Sequence, residues 1–357
     1  MTDIDSIAAQ VKRNCNISDA KYWGFYSPCG LLLRLRDLYR IEHGLNPWDR
    51  IGHDSIGRWI EEREELWSGL EGLDYSEIEI RGKRYSPFNV KAIGTALIKH
   101  NLVYSAGYGD FLKPVFMLAE LSGSRGTGRY AVHIAGRELA RDLSASPAMI
   151  RGDTIIARHQ TMEMFLWGKF EEMKTRRCSG ALFHAFAEYG ISGEAENELS
   201  PAALEERFER LVREELSAYI HHEIGEASQR SILGRWWRRL VTAMPHSRAE
   251  LFLRGMKDIL SDTCRNGMLS YIIANKKAGS LSFYVALLGG FRRHIFPDIV
   301  TAYEEFTTTR DWSLIEKARI QGHKKAGNYV RKLKDMFDKG RASQEAIERE
   351  LIPGIPG

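Results

Sequence analysis

The chain has 357 residues, a length typical of about two domains. A chain of this length can bury a stable core without disulfides or structural metals. Hydrophobic residues make up 43% and charged residues 27%, a globular composition that excludes wholesale disorder. The net charge of +4 is unevenly spread: residues 1–150 carry 19 basic and 19 acidic side chains, residues 151–229 carry 9 and 15, and residues 230–357 carry 23 and 13. An acidic block followed by a basic one is compatible with intramolecular complementarity, or with an acidic protein or a nucleic acid as partner of the basic end. Solvated helix faces have the same composition and are the more frequent case.

The first 145 residues alternate between helical and strand patterns. A Ser-Pro pair at 27–28 can cap a helix, and a second helical pattern covers about residues 56–70. Residues 77–85 alternate apolar and charged around a glycine, which predicts a β-hairpin. A short helix is predicted over 90–100, and strands are predicted over 114–121 and 130–134.

From about Gly136 onward the pattern is helical, beginning with helices predicted over 136–143 and 149–175. The best domain boundary is the Ser-Ala-Ser-Pro stretch that ends at Pro147. We therefore expect an α+β fold, with an N-terminal domain of mixed helices and hairpins over residues 1–145 and a mainly α-helical domain over residues 146–357.

Four cysteines stand at positions 15, 29, 178 and 264 without a Cys-x-x-Cys pair, as is typical of a reducing compartment. The first 14 residues lack the apolar core of a signal peptide. The longest apolar run, residues 283–291, is far shorter than the roughly 20 residues that span a bilayer. We expect a cytoplasmic protein with no membrane partner.

Three stretches carry a resemblance: GFYSPCGLLLRLRDLYR at 24–40, GRELARDLSASPAM at 136–149 and YIHHEIGEA at 219–227. Together they resemble a bacterial family of full-length proteins with no assigned activity. The resemblance covers most of the chain and implies a bacterial, cytoplasmic protein of unknown function. It implies no fold, cofactor or site residue.

Five of the eleven histidines are followed four positions later by an acidic residue, the spacing that places two side chains on one helix face. One pair belongs to a predicted capping box, because Ser247 precedes Glu250 by three residues. Another is interrupted by Pro297. The five pairs are His159/Glu163, His184/Glu188, His222/Glu226, His246/Glu250 and His294/Asp298.

His159 and Glu163 fall within the apolar stripe of the helix predicted from Ile150 to Met173. A carboxylate buried there needs a proton, a cation or a metal as partner. The pair is interpreted either as a hydrogen bond that orders helix packing or as an acid/base or metal site.

His222 and Glu226 lie on a helix predicted from about Pro201 to Ser228, near the direction of Glu215. If this helix packs against the preceding one, His159, Glu163, Glu215, His222 and Glu226 form one inward cluster. Helical di-iron and di-manganese sites are built in this way, but from Glu-x-x-His pairs, which this chain lacks. The cofactor is therefore unknown, with a divalent transition metal as the candidate.

Glu138 and Asp142 are also four apart and alternate with arginines, which is typical of an exposed, salt-bridged helix. Alternatively, Glu138 completes the inward cluster.

The basic end has two dense parts, residues 230–240 and 317–341, which form a candidate patch for an anionic partner. Trp236 and Trp237 in the first part are expected to pack rather than to stack on bases. The candidate residues are Arg235, Arg238, Arg239, Lys324, Lys325 and Arg331.

Three functions stay open. The chain is a non-catalytic binding or regulatory protein with a structural His/Glu network, a metal-binding helical enzyme or sensor, or a nucleic-acid-binding protein. We favour the first, because no complete catalytic constellation can be identified.

Overall fold

The computed structural model describes residues 4–109, 112–176, 180–194, 198–352 and 354, so that Cys178 lies outside the described residues. The chain divides into two compact units, Met1–Lys169 and Phe170–Gly357. Helices and a five-stranded sheet make up the described part of the first unit, and the described part of the second is helical. The α+β prediction is confirmed.

The first unit begins with helices. As predicted, Ser27 caps the second of them: its hydroxyl accepts a hydrogen bond from the Gly30 amide at 3.2 Å, and Pro28 occupies the first turn. The helices are α1 (Ile4–Tyr22), α2 (Pro28–Glu42), α3 (His53–Ser68) and α4 (Val90–Leu97), with short 3₁₀ turns at Trp23–Phe25 and Ile98–His100.

The predicted hairpin is β1 (Ile78–Ile80) paired with β2 (Lys83–Tyr85). Its two central residues, Arg81 and Gly82, both have positive φ (54° and 75°), as a type I′ turn requires. The larger sheet has the order β3-β4-β5-β7-β6, in which only β5 and β7 are parallel. Its strands are β3 (Leu102–Tyr108), β4 (Pro114–Thr127), β5 (Tyr130–Arg141), β6 (Ala148–Arg151) and β7 (Thr154–Arg158).

The helices predicted over 136–143 and from residue 149 are wrong in this region. Residues 136–141 belong to β5, and residues 148–158 form β6 and β7 before α5 (His159–Arg176) begins. The helical prediction placed Glu138 and Asp142 on an exposed face, whereas both are buried. A strand is usually recognised by alternating apolar and polar residues. Here charged residues such as Glu138 and Arg141 occupy buried positions, so the sequence does not show that alternation.

The expected boundary after residue 145 precedes β6 and β7, which pair with the sheet of the first unit. The compact units divide later, after Lys169, within α5.

Helix α1 contributes to two cores in the first unit. Its residues Ile7 and Val11 pack with the hairpin and the larger sheet. Ile17 and Ala20 pack with apolar side chains of α2 and α3. This central position explains why α1 also carries buried polar residues that bind to the sheet.

The second unit has a large core, which is built around fully buried side chains of α9 (Arg248–Thr263) such as Phe252 and Met256. Helix α11 (Ala278–Ala286) contains part of the longest apolar run of the sequence, and its residues from Gly279 to Val285 are buried. None of the described helices is long and apolar enough to cross a membrane. The helices are α6 (Ala181–Ala187), α7 (Pro201–Ser228), α8 (Arg230–Thr242), α9 (Arg248–Thr263), α10 (Met268–Ala274), α11 (Ala278–Ala286), α12 (Gly290–Ile295), α13 (Asp298–Thr309), α14 (Trp312–Asp338) and α15 (Gln344–Leu351).

Candidate functional site

The most concentrated polar site of the second unit lies where α7 packs against α9. The two backbones meet closely at Gly225, where an added Cβ would collide with the carbonyl oxygen of Ser261. This approach brings His222 and Glu226, one helical turn apart on α7, against Asp258 and Asp262, one turn apart on α9.

His222 is oriented by Asp262. Its Nδ1 lies 2.6 Å from Oδ1 of Asp262, whose side chain is only 2% exposed, and its Nε2 lies 3.5 Å from Oε1 of Glu226. Burial opposes the charged imidazolium, but the Asp262 and Glu226 carboxylates outweigh burial and raise the pKa of His222 well above its ordinary value. The His222 imidazole is therefore protonated in the folded chain and lies between the carboxylates of Asp262 and Glu226.

Glu226 is shared between two cations. Its Oε1 accepts from the Lys257 ammonium at 2.5 Å. Burial would raise the pKa of Glu226, but Lys257 and His222 outweigh it and lower the pKa. The Glu226 carboxylate is therefore ionised, as a metal ligand must be.

Asp258 completes a set of three groups whose side chains are of the kinds that ligate metals. Ligand atoms of His222, Glu226 and Asp258 lie within 4.8 Å of one another. In a tetrahedral site, metal bonds of about 2.0–2.2 Å place neighbouring ligand atoms about 3.3–3.6 Å apart, so that an inward movement of the side chains would close the set around one ion. Burial raises the pKa of Asp258, and the described residues give its carboxylate no hydrogen bond or ion pair.

Asp258 and Asp262 are not among the residues predicted for a site from the sequence. Their spacing of four within a helix of buried apolar residues was the available signal, but it contains no histidine and was not selected. Lys257, which binds Glu226, was missed for the same reason.

Glu215 lies two turns before His222 and takes part in a different contact. It is 2% exposed, and its Oε1 accepts hydrogen bonds from the hydroxyls of Tyr189 and Ser280, each at 2.6 Å. Burial raises the pKa of Glu215 to about 7. Glu215 is therefore a buried carboxyl group held by two hydroxyl donors.

His159 and Glu163 lie on α5 in the first unit, whereas Glu215, His222 and Glu226 lie in the second. His159 and Glu163 are both half-buried, and α5 begins at His159, whereas the helix predicted from the sequence begins at Ile150. The predicted site of five residues stays a prediction.

Of the other histidine pairs, His246/Glu250 has the predicted capping arrangement, whereas the side chains of His184 and Glu188 contact different residues. Glu250 reaches back to the His246 amide at 2.7 Å and Ser247 accepts from the Glu250 amide at 3.0 Å, which is a capping arrangement. His184 and Glu188 are exposed and have separate partners: His184 contacts the Tyr303 hydroxyl at 3.3 Å, and Glu188 binds Arg310 at 2.7 Å.

Glu138 is neither exposed nor on a helix. Its two carboxylate oxygens bind Arg158 at 2.9 and 2.6 Å, and it also accepts from the Thr161 hydroxyl and pairs with Arg141. Burial would raise the pKa of Glu138, but Arg158 and Arg141 outweigh it and lower the pKa. The prediction of a solvent-exposed, salt-bridged helix at 138–142 is therefore wrong.

Asp142 belongs to a second buried ionic contact in the first unit. The Lys113 ammonium lies 2.5 Å from Asp19 and 3.3 Å from Asp142. Burial raises the pKa of Asp19 to about 6, against the opposing effect of Lys113. These side chains join α1 to the start of β4 and the end of β5, which is a structural role.

The basic residues lie on α8 and α14, which meet where Trp236 packs on Phe337 with ring centroids 5.7 Å apart. Trp237 is buried, as predicted for a packing residue. Of the six candidates all but Lys325 are exposed, and Lys325 is half-buried. Within the described part of the chain Arg235, Arg238 and Arg239 make no ion pair, and a single anion-binding face stays a prediction.

Comparison with known proteins gives a family but no function. No curated protein and no solved structure matches the chain. The model for the N-terminal domain of a family of unknown function (DUF6866) matches residues 6–158, and the model for the C-terminal domain of that family matches residues 163–354. The chain therefore belongs to the DUF6866 family, whose function is unknown.

Proposed function

We propose that the second unit binds a divalent transition metal ion through His222, Glu226 and Asp258, and that the protein is a metal-binding protein rather than a complete enzyme. The observation that carries this proposal is the convergence of three ligand groups from two facing helices within 4.8 Å. Metal sites in helical bundles are built from side chains on facing helices in the same way.

The groups present fit such an ion. One imidazole and two carboxylates suit Zn²⁺, Mn²⁺ or Fe²⁺, and they exclude a soft thiolate site. Asp262 accepts from Nδ1 of His222, so that loss of the Nε2 proton to solvent would leave Nε2 to bind the metal. The side chains of His222 and Glu226 are 19% and 24% exposed, so that an ion has a path from solvent.

Lys257 occupies the Glu226 carboxylate and would have to release it. A cation held by one oxygen of Glu226 opposes a second cation at the same group. We therefore assign Lys257 the role of a competitor, which lowers the affinity for the metal without preventing its binding.

Metal titration tests the proposal. We expect the purified protein to bind about one equivalent of Mn²⁺ or Zn²⁺ in calorimetry and in elemental analysis after dialysis. Asp258→Asn should abolish binding, and it should preserve the fold, because the described residues give the Asp258 carboxylate no hydrogen bond or ion pair.

The neighbouring His221 offers a matched control. It lies on the same helix and is also half-buried, but its ring stacks on Tyr271 at 3.9 Å. His221→Gln should keep metal binding, whereas His222→Gln should remove it. A wild-type protein that binds no ion at millimolar metal concentrations would refute the site.

We also infer that the protein works in the cytoplasm. The described cysteines, Cys15, Cys29 and Cys264, are all free thiols, which suits a reducing compartment. Fractionation of the source cells tests this inference.

A further inference from the structure

The first unit has an open groove that the metal site does not use. It lies among α1, α2, α3 and the Trp23–Phe25 turn and has a volume of about 350 Å³. Its walls are mainly apolar, from Ala20, Trp23, Leu31, Leu35, Ile60 and Trp67.

The groove-lining residues of α3 recur every three or four positions, the spacing of one helix face. Ile60, Glu64, Trp67, Ser68 and Glu71 lie on one face of that helix and its C-terminal extension, so that apolar and acidic groups run side by side along the groove. The Glu71 amide donates to the Trp67 carbonyl at 3.1 Å, as in a helix, so that Glu64 and Glu71 are about 10.5 Å apart along the helix axis. A partner with the same repeat can contact both carboxylates at once.

The rim of the groove is negatively charged. Glu64 and Glu71 are exposed, and among the described residues neither makes an ion pair or a hydrogen bond. Arg63, the cation among the lining residues, is already bound to Asn16 at 2.7 Å and to Glu42 at 2.5 Å. The two carboxylates are thus available to cations from outside the chain.

Large apolar side chains are exposed on the same elements. Trp23 is 49% exposed, Leu32 56%, Leu33 53% and Leu66 43%. Of these, Trp23 also lines the groove, so that exposed apolar surface continues from the groove wall, as it does at interaction sites.

We propose that this groove binds a basic amphipathic helix of a partner protein. Leucine-like side chains spaced three or four residues apart would enter the groove, and lysines or arginines one or two turns apart would meet Glu64 and Glu71. Charge complementarity selects this occupant over an anionic membrane surface, which the two carboxylates would repel. The proposal does not depend on the metal site.

A designed peptide tests the proposal directly. The probe is a fluorescently labelled 18-residue peptide of leucine and lysine with leucines at helical spacing, and its binding to the full chain is measured by anisotropy. We expect saturable binding. A peptide with the same leucine spacing but glutamate in place of lysine should not bind, and one that alternates leucine and lysine should bind at least 10-fold more weakly.

Two charge reversals on one helix locate the binding. Glu64→Lys with Glu71→Lys should weaken binding at least 10-fold. Glu62→Lys with Glu65→Lys introduces the same charge on the other face of α3, outside the groove lining, and should change binding less than 3-fold. All four residues are exposed, so that circular dichroism should show an unchanged fold in both variants.

The proposal is overturned if the leucine–lysine peptide does not bind, or if the two double variants weaken it equally. Binding to anionic vesicles that Glu64→Lys with Glu71→Lys leaves unchanged would also overturn it. So would self-association in sedimentation that this variant abolishes, because the groove would then belong to a second copy of the chain.

Discussion

At the residue scale, charges in this protein are buried in two different ways. Glu138 is surrounded by arginines that keep it ionised, because their positive charge outweighs the cost of burial. Glu215 has two hydroxyl donors and no cation within hydrogen-bonding distance among the described residues, and burial raises its pKa to about 7. The partner, rather than the depth of burial, decides whether the carboxyl group is charged.

Glu215 should therefore make stability depend on pH. Its pKa is about 7 in the folded chain and about 4.3 in an unfolded one, so that the folded state holds the proton more tightly. The protonated carboxyl group of Glu215 therefore contributes to the free energy of unfolding at low pH. This contribution should decrease as the pH rises above about 4.3 and should be lost above about 7. Glu215→Gln removes the charge and keeps an oxygen that accepts from both hydroxyls. The free energy of unfolding of this variant, relative to that of the wild type, should therefore increase by about 1 kcal/mol from about pH 6 to about pH 8.5.

Urea unfolding at the two pH values measures this difference. Glu206→Gln, an exposed position on the same helix, is the control and should show no such change. If the difference in the free energy of unfolding between Glu215→Gln and the wild type is the same at both pH values, Glu215 is already ionised in the folded protein near pH 6.

At the scale of elements, the proposed metal site depends on how closely two helices approach. Helical spacing alone pairs His222 with Glu226, because residues four apart share a face. Contact with Asp258 and Asp262 also requires that the backbone of α7 reach that of α9 at Gly225, which a residue with a side chain could not allow. The position of this glycine could not be interpreted before the partner helix was known.

Gly225→Ala should separate the two helices. The added methyl group meets the Ser261 carbonyl oxygen, a backbone atom that cannot move aside, and overpacking of this kind costs about 1–3 kcal/mol. We expect a lower free energy of unfolding and at least 10-fold weaker metal binding, measured by urea unfolding and calorimetry. Gly327→Ala is the control: that helical glycine has open space around its Cβ position, and the change should stabilise the helix by up to about 1 kcal/mol. Equal effects of the two substitutions would contradict the close approach.

At the scale of the whole molecule, the positive charge at the C-terminal end remains the basis for a nucleic-acid hypothesis. Arg235, Arg238 and Arg239 are exposed, but Trp236 packs on Phe337 and Trp237 is buried. The two tryptophans of this segment are therefore held in packing contacts, whereas stacking of bases on aromatic rings is the usual source of tight binding to single strands.

We expect binding of DNA or RNA through this surface to be independent of sequence and to be lost between about 50 and about 200 mM salt, because only counterion release would drive it. Mobility-shift assays with the wild type and with Arg235→Gln, Arg238→Gln and Arg239→Gln combined measure this. A complex that selects one sequence and survives physiological salt would contradict the expectation.

The sequence by itself determined the local features of this protein. The Ser27-Pro28 cap, the hairpin at residues 78–85 and the pairing of His222 with Glu226 follow from interactions between residues a few positions apart. Only the tertiary structure decided that Glu138 is buried on a strand and that Asp258 joins His222. The reason is physical: the cost of burying a charge depends on partners distant in sequence, and the local pattern does not contain those partners.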